Sequence, residues 1–168
     1  MQDSLYTVVE CLGQTLQKAG FYLSLAESCT GGGVAQACTE VAGSSAWFDR
    51  AFVVYSNAAK QQLLGVSAET IEQYGAVSEA VVLEMAQGAL KQSASQVAVA
   101  VSGIAGPSGG SAYKPVGTVC IACIIQGQAD WVHTFHFQGD RGDVRQQAVI
   151  ESLTAVLQLL QTSEKLAV

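Results

Sequence analysis

Positive charge and histidine are both scarce in this chain. Of its 168 residues only 8 are Lys or Arg, against 14 Asp or Glu, for a net charge of −6. Nucleic-acid binding draws on a basic stripe that displaces counterions, so this balance argues against nucleic acid as a partner. A small phosphorylated molecule still fits, because a few well-placed cations suffice. Only two histidines are present, His133 and His136. Their spacing of three turns them to opposite faces of a regular strand, which leaves a Ser-His-Asp triad without a base. Charged residues make up 13% and apolar residues 49%, the composition of a well-buried globule rather than a disordered chain.

Long apolar runs are missing too. The longest, near residues 97–101 and 116–125, fall short of the roughly 20 residues that a spanning helix requires, so no membrane partner is expected. The first twenty residues carry Asp3 and Glu10 and no basic cluster, unlike a signal peptide. Five cysteines, an odd number, are scattered through apolar segments and read as free thiols of a reducing compartment; the expected location is the cytoplasm. With no internal repeat, low-complexity tract or linker, a single domain spanning 1–168 is expected.

What is present alternates between helical and strand patterns. Leu5, Val8, Val9, Leu12 and Leu16 mark a helix over 4–19, ending at Gly20. Strands are predicted over 21–26, 51–56, 97–101, 117–125 and 131–137. Helices are predicted over 32–39 and 58–64, from Ser78 as N-cap, and from the segment 139–145 to the chain end. This order implies an α/β fold: a single-domain three-layer α/β/α sandwich with a largely parallel or mixed sheet.

The segment Ala26-Glu27-Ser28-Cys29-Thr30-Gly31-Gly32 stands between a strand and a helix. A hydroxyl there is either a nucleophile or a helix cap, and backbone N–H groups near Thr30–Gly32 could hold an oxyanion. It lacks the glycine of a G-x-S-x-G elbow. With imidazole excluded, a lysine held neutral by burial is the alternative base. Lys18, Lys91 and Lys165 read as helix-end cations and Lys114 lies in a glycine-rich loop. Lys60 closes Tyr55-Ser56-Asn57-Ala58-Ala59-Lys60 at a strand end, where α/β sheets form ligand crevices. Cys29 is a rival nucleophile at a helix start. The loop 102–110 could cradle a phosphate or ribose through its N–H groups, but matches neither a P-loop nor a dinucleotide fingerprint. Arg141 and Arg145, four apart, could form either an anion clamp or salt bridges to Asp140, Asp143 or a neighbouring subunit. Cys120-x-x-Cys123 lies within an apolar strand and reads as packing rather than a metal site.

Seven stretches in one order, AESCTGG (26–32), VAGSSAWF (41–48), YSNAAK (55–60), GAVSE (75–79), SGIAGPSGG (102–110), KPVGTV (114–119) and GDRGDVR (139–145), resemble the C-terminal domain of the CinA family, the competence/damage-inducible proteins. The resemblance spans nearly the whole chain and is to the single-domain form, without the N-terminal domain of longer members. Stand-alone members are nicotinamide-nucleotide amidases. The resemblance therefore implies hydrolysis of the carboxamide of nicotinamide mononucleotide to nicotinate mononucleotide and ammonia, in pyridine nucleotide salvage, with no metal or other cofactor. It implies Ser28, Tyr55 and Lys60 as catalytic residues. Thr30, Gly31, Gly32, Ser102, Gly103, Ile104, Ala105 and Gly106 would contact the substrate, with Arg141 and Arg145 nearby. Family habit and an alanine-rich surface favour a homodimer or larger assembly. Ser102 stands where many members carry threonine. Gly33 replaces a larger residue, which would loosen the pocket rim. The alternatives are a catalytically silent pyridine-nucleotide-binding or sensor module and a Cys29-dependent hydrolase.

Overall fold

The i, i+3, i+4 spacing of apolar residues at the start of the chain folds as α1 (Gln2–Ala19), with Val9, Leu12 and Leu16 buried. The computed structural model describes residues 2–166, with side chains from 5 to 162; the side chain of Lys165 lies outside the described residues. After α1 come β1 (Leu23–Glu27), α2 (Gly33–Thr39), a short 3-10 turn (Ser44–Ala46), β2 (Phe48–Val53), α3 (Asn57–Leu64), α4 (Ala68–Tyr74), α5 (Glu79–Lys91), β3 (Val97–Gly103), β4 (Thr118–Ile125), β5 (Trp131–His136) and α6 (Arg141–Leu166).

The strands form one mixed sheet in the order β2-β1-β3-β4-β5. β1 is parallel to both β2 and β3, whereas β3–β4 and β4–β5 are antiparallel. Strands β1, β3 and β4 are buried almost throughout because helices cover both faces. On one face α1, α2 and α6 pack over Leu23, Leu25, Val97, Val99, Ile121 and Cys123. On the other, α3, α4 and α5 pack over Ala26, Ala98, Ala100, Cys120 and Ala122. The fold is the expected three-layer α/β/α sandwich with a mixed sheet. Among the described residues no helix is long and apolar enough to cross a membrane.

Two elements differ from expectation. The second strand, predicted over 51–56, pairs with β1 from Leu23↔Phe48 to Glu27↔Val53 and then leaves the sheet. Ser56 already caps α3, its Oγ accepting from the Ala59 N–H, so residues 54–56 form the turn at the sheet's carboxyl edge. Helix α4 was not anticipated. Its seven residues place only Ile71 against the core, too few apolar positions to set up a period. Ser67 caps it, and Glu84 of α5 accepts from the Ser67 N–H and the Thr70 hydroxyl.

The connection from β1 to β2 runs through α2 on one face, and that from β2 to β3 through α3–α5 on the other. A crevice therefore opens at the carboxyl ends of the adjacent strands β1 and β3, as it does wherever chain direction reverses in an open α/β sheet.

Candidate active site

Ser28 follows the last residue of β1, its N–H held by Val101 O of β3 (3.0 Å). It is not the cap of α2. That position is Gly32, whose φ of 97° is a left-handed conformation natural to glycine. Lys60 lies in the first turn of α3. Helical side chains lean toward the N-terminus, so its stem runs back under residues 54–56. Its Nζ lies 3.1 Å from Ser28 Oγ, 3.0 Å from Val54 O and 3.1 Å from Tyr55 O. Lys60 is 1% exposed and Ser28 7%. Burial lowers the Lys60 pKa below its ordinary value near 10.5, and the facing Cys29 acts in the other sense to a lesser degree.

The three neighbours of Nζ make both protonation states structurally reasonable. An ammonium donates to all three oxygens. A neutral amine donates to the two carbonyls and turns its lone pair to the Ser28 hydroxyl. The second arrangement is that of a general base beside a nucleophile.

Ser28 and Lys60 open into a cleft of about 180 Å³, whose wall also includes Cys29, Tyr55, Ser102, Gly103, Ala105 and Arg141. A wider groove of about 660 Å³ adjoins it, sharing Ala105 and Arg141. The Tyr55 hydroxyl lies 3.4 Å from Arg141 Nη2. The same guanidinium donates through Nη1 to Gly106 O at 2.8 Å. Ser102 ties the cleft to the α4–α5 connection by donating to Ala76 O (2.8 Å). The Ile104 N–H donates to Thr118 O and its carbonyl accepts from Gly117 N–H, so this residue serves the scaffold. Gly103 has no room for a side chain: a Cβ would sit 2.6 Å from Val119 Cγ2 and 3.1 Å from Cys29 Sγ.

Several expectations are corrected. The N–H groups of Gly31 and Gly32 are not free for an oxyanion, since they donate to Ser28 O and to Glu27 Oε2. Arg145 does not join Arg141 as a second prong. Its Nε donates to Cys29 O (3.1 Å) and its Nη2 to Thr30 O (2.9 Å). Thr30 likewise turns inward, its hydroxyl donating to Glu27 Oε2 at 2.7 Å. Gly33 is not on the cleft rim, because a side chain there would point at Val149 of α6. Burial pushes the Cys29 thiol up to about 12, which disfavours the thiolate that a sulfur nucleophile needs at neutral pH. The packing expected of Cys120 and Cys123 is observed, in cores on opposite faces of β4.

Sequence reasoning gave Glu27 no role. Its carboxylate is fully buried and accepts from the Thr30 hydroxyl and from the N–H groups of Gly32, Val34 and Ala35. It thereby satisfies the start of α2 and its dipole from inside the protein. The available signal was a carboxylate at the end of a strand with no other charged residue. Asp140 and Asp143, expected only as possible salt-bridge partners of the two arginines, have a different role. Asp140 Oδ1 accepts from the Gly142 and Asp143 N–H groups, and Asp143 Oδ2 from the Asp140 N–H, closing a cap on α6.

A family model described as the CinA C-terminal domain matches residues 5–160. The nicotinamide-nucleotide amidohydrolase PncC of Enterobacter agglomerans is 56% identical over 146 residues, covering 87% of this chain and 89% of the relative. The protein of the same name from Escherichia coli K12 is 52% identical over 159 residues, covering 94% and 96%. Among solved structures, the competence/damage inducible protein CihA from Agrobacterium tumefaciens superposes with a TM-score of 0.90 at 43% identity, covering 94% of this chain and 96% of that one. A CinA superfamily protein from Klebsiella pneumoniae 700603 gives 0.90 at 37% identity, covering 94% and 98%.

Proposed function

The chain belongs to the CinA C-terminal domain family, and on that premise we propose that it is a nicotinamide-nucleotide amidase that hydrolyses the carboxamide of nicotinamide mononucleotide. The observation that carries this reading is the 3.1 Å approach of Lys60 Nζ to Ser28 Oγ in a buried cleft. Amide hydrolysis needs a nucleophile, a base that becomes an acid, and donors for the oxyanion.

In this reading neutral Lys60 takes the Ser28 proton as Oγ adds to the carboxamide carbon. Collapse of the tetrahedral intermediate breaks the C–N bond, and the Lys60 proton leaves with ammonia. A water, deprotonated by the same amine, then adds to the acyl-serine. Its collapse releases nicotinate mononucleotide and returns the proton to Ser28. Tyr55 supports the base through its main-chain carbonyl, while its ring and hydroxyl stand at the cleft mouth beside Arg141. Arg141, Ala105 and Pro107 line the adjoining groove, where the ribose phosphate would lie.

The test is ammonia release from nicotinamide mononucleotide by purified protein. Turnover that is lost in Ser28→Ala and in Lys60→Met, with ligand binding retained, supports the reading. Binding by the wild type without turnover would instead identify a silent nucleotide-binding module.

A further inference from the structure

The peptide units that follow Ser28 are gripped from two sides. From α6, Arg145 donates Nε to Cys29 O and Nη2 to Thr30 O. From the sheet, buried Glu27 holds the Thr30 hydroxyl and the Gly32 N–H. Between these grips the Gly31 N–H closes a turn on Ser28 O at 3.1 Å.

A trans peptide points its C=O and N–H in opposite directions. Among the described residues the one cis bond is Gly106–Pro107, so the 29–30 unit is trans. The guanidinium grip on Cys29 O therefore aims the Thr30 N–H away from α6. The turn bond to Ser28 O fixes the Cys29 N–H in the same manner. Among the described residues neither of these N–H groups donates to another residue, whereas those of Gly32, Val34 and Ala35 all go to Glu27. The start of α2 is thus closed to an anion; among the described residues the Thr30 N–H is left without a partner and that of Cys29 meets only its own Sγ.

Resting on the amidase reading, we propose that the N–H groups of Cys29 and Thr30 hold the oxyanion, and that Arg145 is a positioning residue that presets the second of them. Arg145 is then not a ligand for the substrate phosphate. Arginine suits this work because its planar fork spans two carbonyls at once, which an ammonium on a flexible stem does not reproduce. A turn ending in glycines would otherwise reorganise as charge develops, and donors fixed beforehand avoid that cost.

Two kinds of variant test it, assayed on nicotinamide mononucleotide and on the phosphate-free nucleoside. Arg145→Lys keeps the charge and loses the fork. Its kcat should fall by about 100-fold with both substrates, the loss typical of one oxyanion donor. Its KM should stay within about threefold of wild type, and the preference for nucleotide over nucleoside should not change. A preserved kcat with KM raised for the nucleotide alone would make Arg145 a phosphate ligand and overturn the proposal. An ester in place of the 29–30 amide removes the Thr30 N–H and leaves every side chain, so it decides the matter should Arg145→Lys fail to fold. A kcat loss of about 100-fold is expected there, and an unchanged kcat overturns the proposal. A wild type that releases no ammonia would sink the amidase reading itself, and the inference with it. Active wild type with unaffected variants sinks the inference alone.

Discussion

Lys60 Nζ and Ser28 Oγ lie 3.1 Å apart although 32 residues separate them in sequence, and the amine is almost fully shielded from water. Two turns at the same edge of the sheet create this contact, one leaving β1 and one leaving β2. The chemistry of the cleft follows from what burial does to that amine.

Because burial lowers the Lys60 pKa, the folded protein binds fewer protons than the unfolded chain between the lowered value and about 10.5. Stability contributed by this group therefore rises with pH across that window. Relative to Lys60→Met, wild type should gain stability as pH is raised from 7 toward 10. Denaturant unfolding at several pH values measures the difference, and a gap that is constant or narrows in the other sense contradicts it. The acid limb of kcat/KM should follow the same group, with activity rising as the amine loses its proton.

Cys29 adjoins Ser28, and burial pushes its thiol pKa up to about 12. Iodoacetamide at pH 8 should leave activity intact, and Cys29→Ala should keep kcat within about threefold of wild type. Inactivation by alkylation, with Ser28→Ala still active, would move the nucleophile to sulfur.

Much of this was legible from residue patterns, and the failures have physical causes. Apolar patterning located α1, α5 and the strands other than β2, whose first residues, Phe48, Asp49 and Arg50, form no apolar run. Lys60 stands out as a candidate base by elimination, since the two histidines lie on opposite faces of β5. Arg141 and Arg145 look equivalent in sequence, four apart on one helix. Only the three-dimensional course of the loops sends the first to Gly106 O and the second to Cys29 O and Thr30 O. Glu27 was invisible for a related reason. A buried carboxylate is intelligible only once its four donors are in view, and three of them are backbone groups without a sequence signature.

Glu27→Gln tests that carboxylate. Oε2 accepts three hydrogen bonds and Oε1 accepts the Ala35 N–H. If the amide oxygen keeps the first set, its NH2 group meets the Ala35 donor. The unsatisfied pair should cost about 1–3 kcal/mol of stability. Activity should fall as well, since the same side chain holds Thr30 and Gly32. Equal unfolding midpoints for variant and wild type would show that the network carries no stability.

Gly103→Ala would drive a methyl group into Val119 and against Cys29 Sγ. Overpacking of this kind costs about 1–3 kcal/mol, and displacement of Cys29 should lower kcat. Adding Cys29→Ala removes one of the obstructing atoms and should recover part of both losses, so the two substitutions are coupled rather than additive. A double mutant whose losses simply sum contradicts that packing.

The most direct measurement is an NMR titration of Lys60 Nζ in the folded wild-type protein, assigned by comparison with Lys60→Met. A midpoint well below the ordinary lysine value of 10.5, matching the acid limb of the rate profile, is the predicted result. A midpoint at or above that value would mean a charged amine at working pH, and a Ser28 with no base beside it.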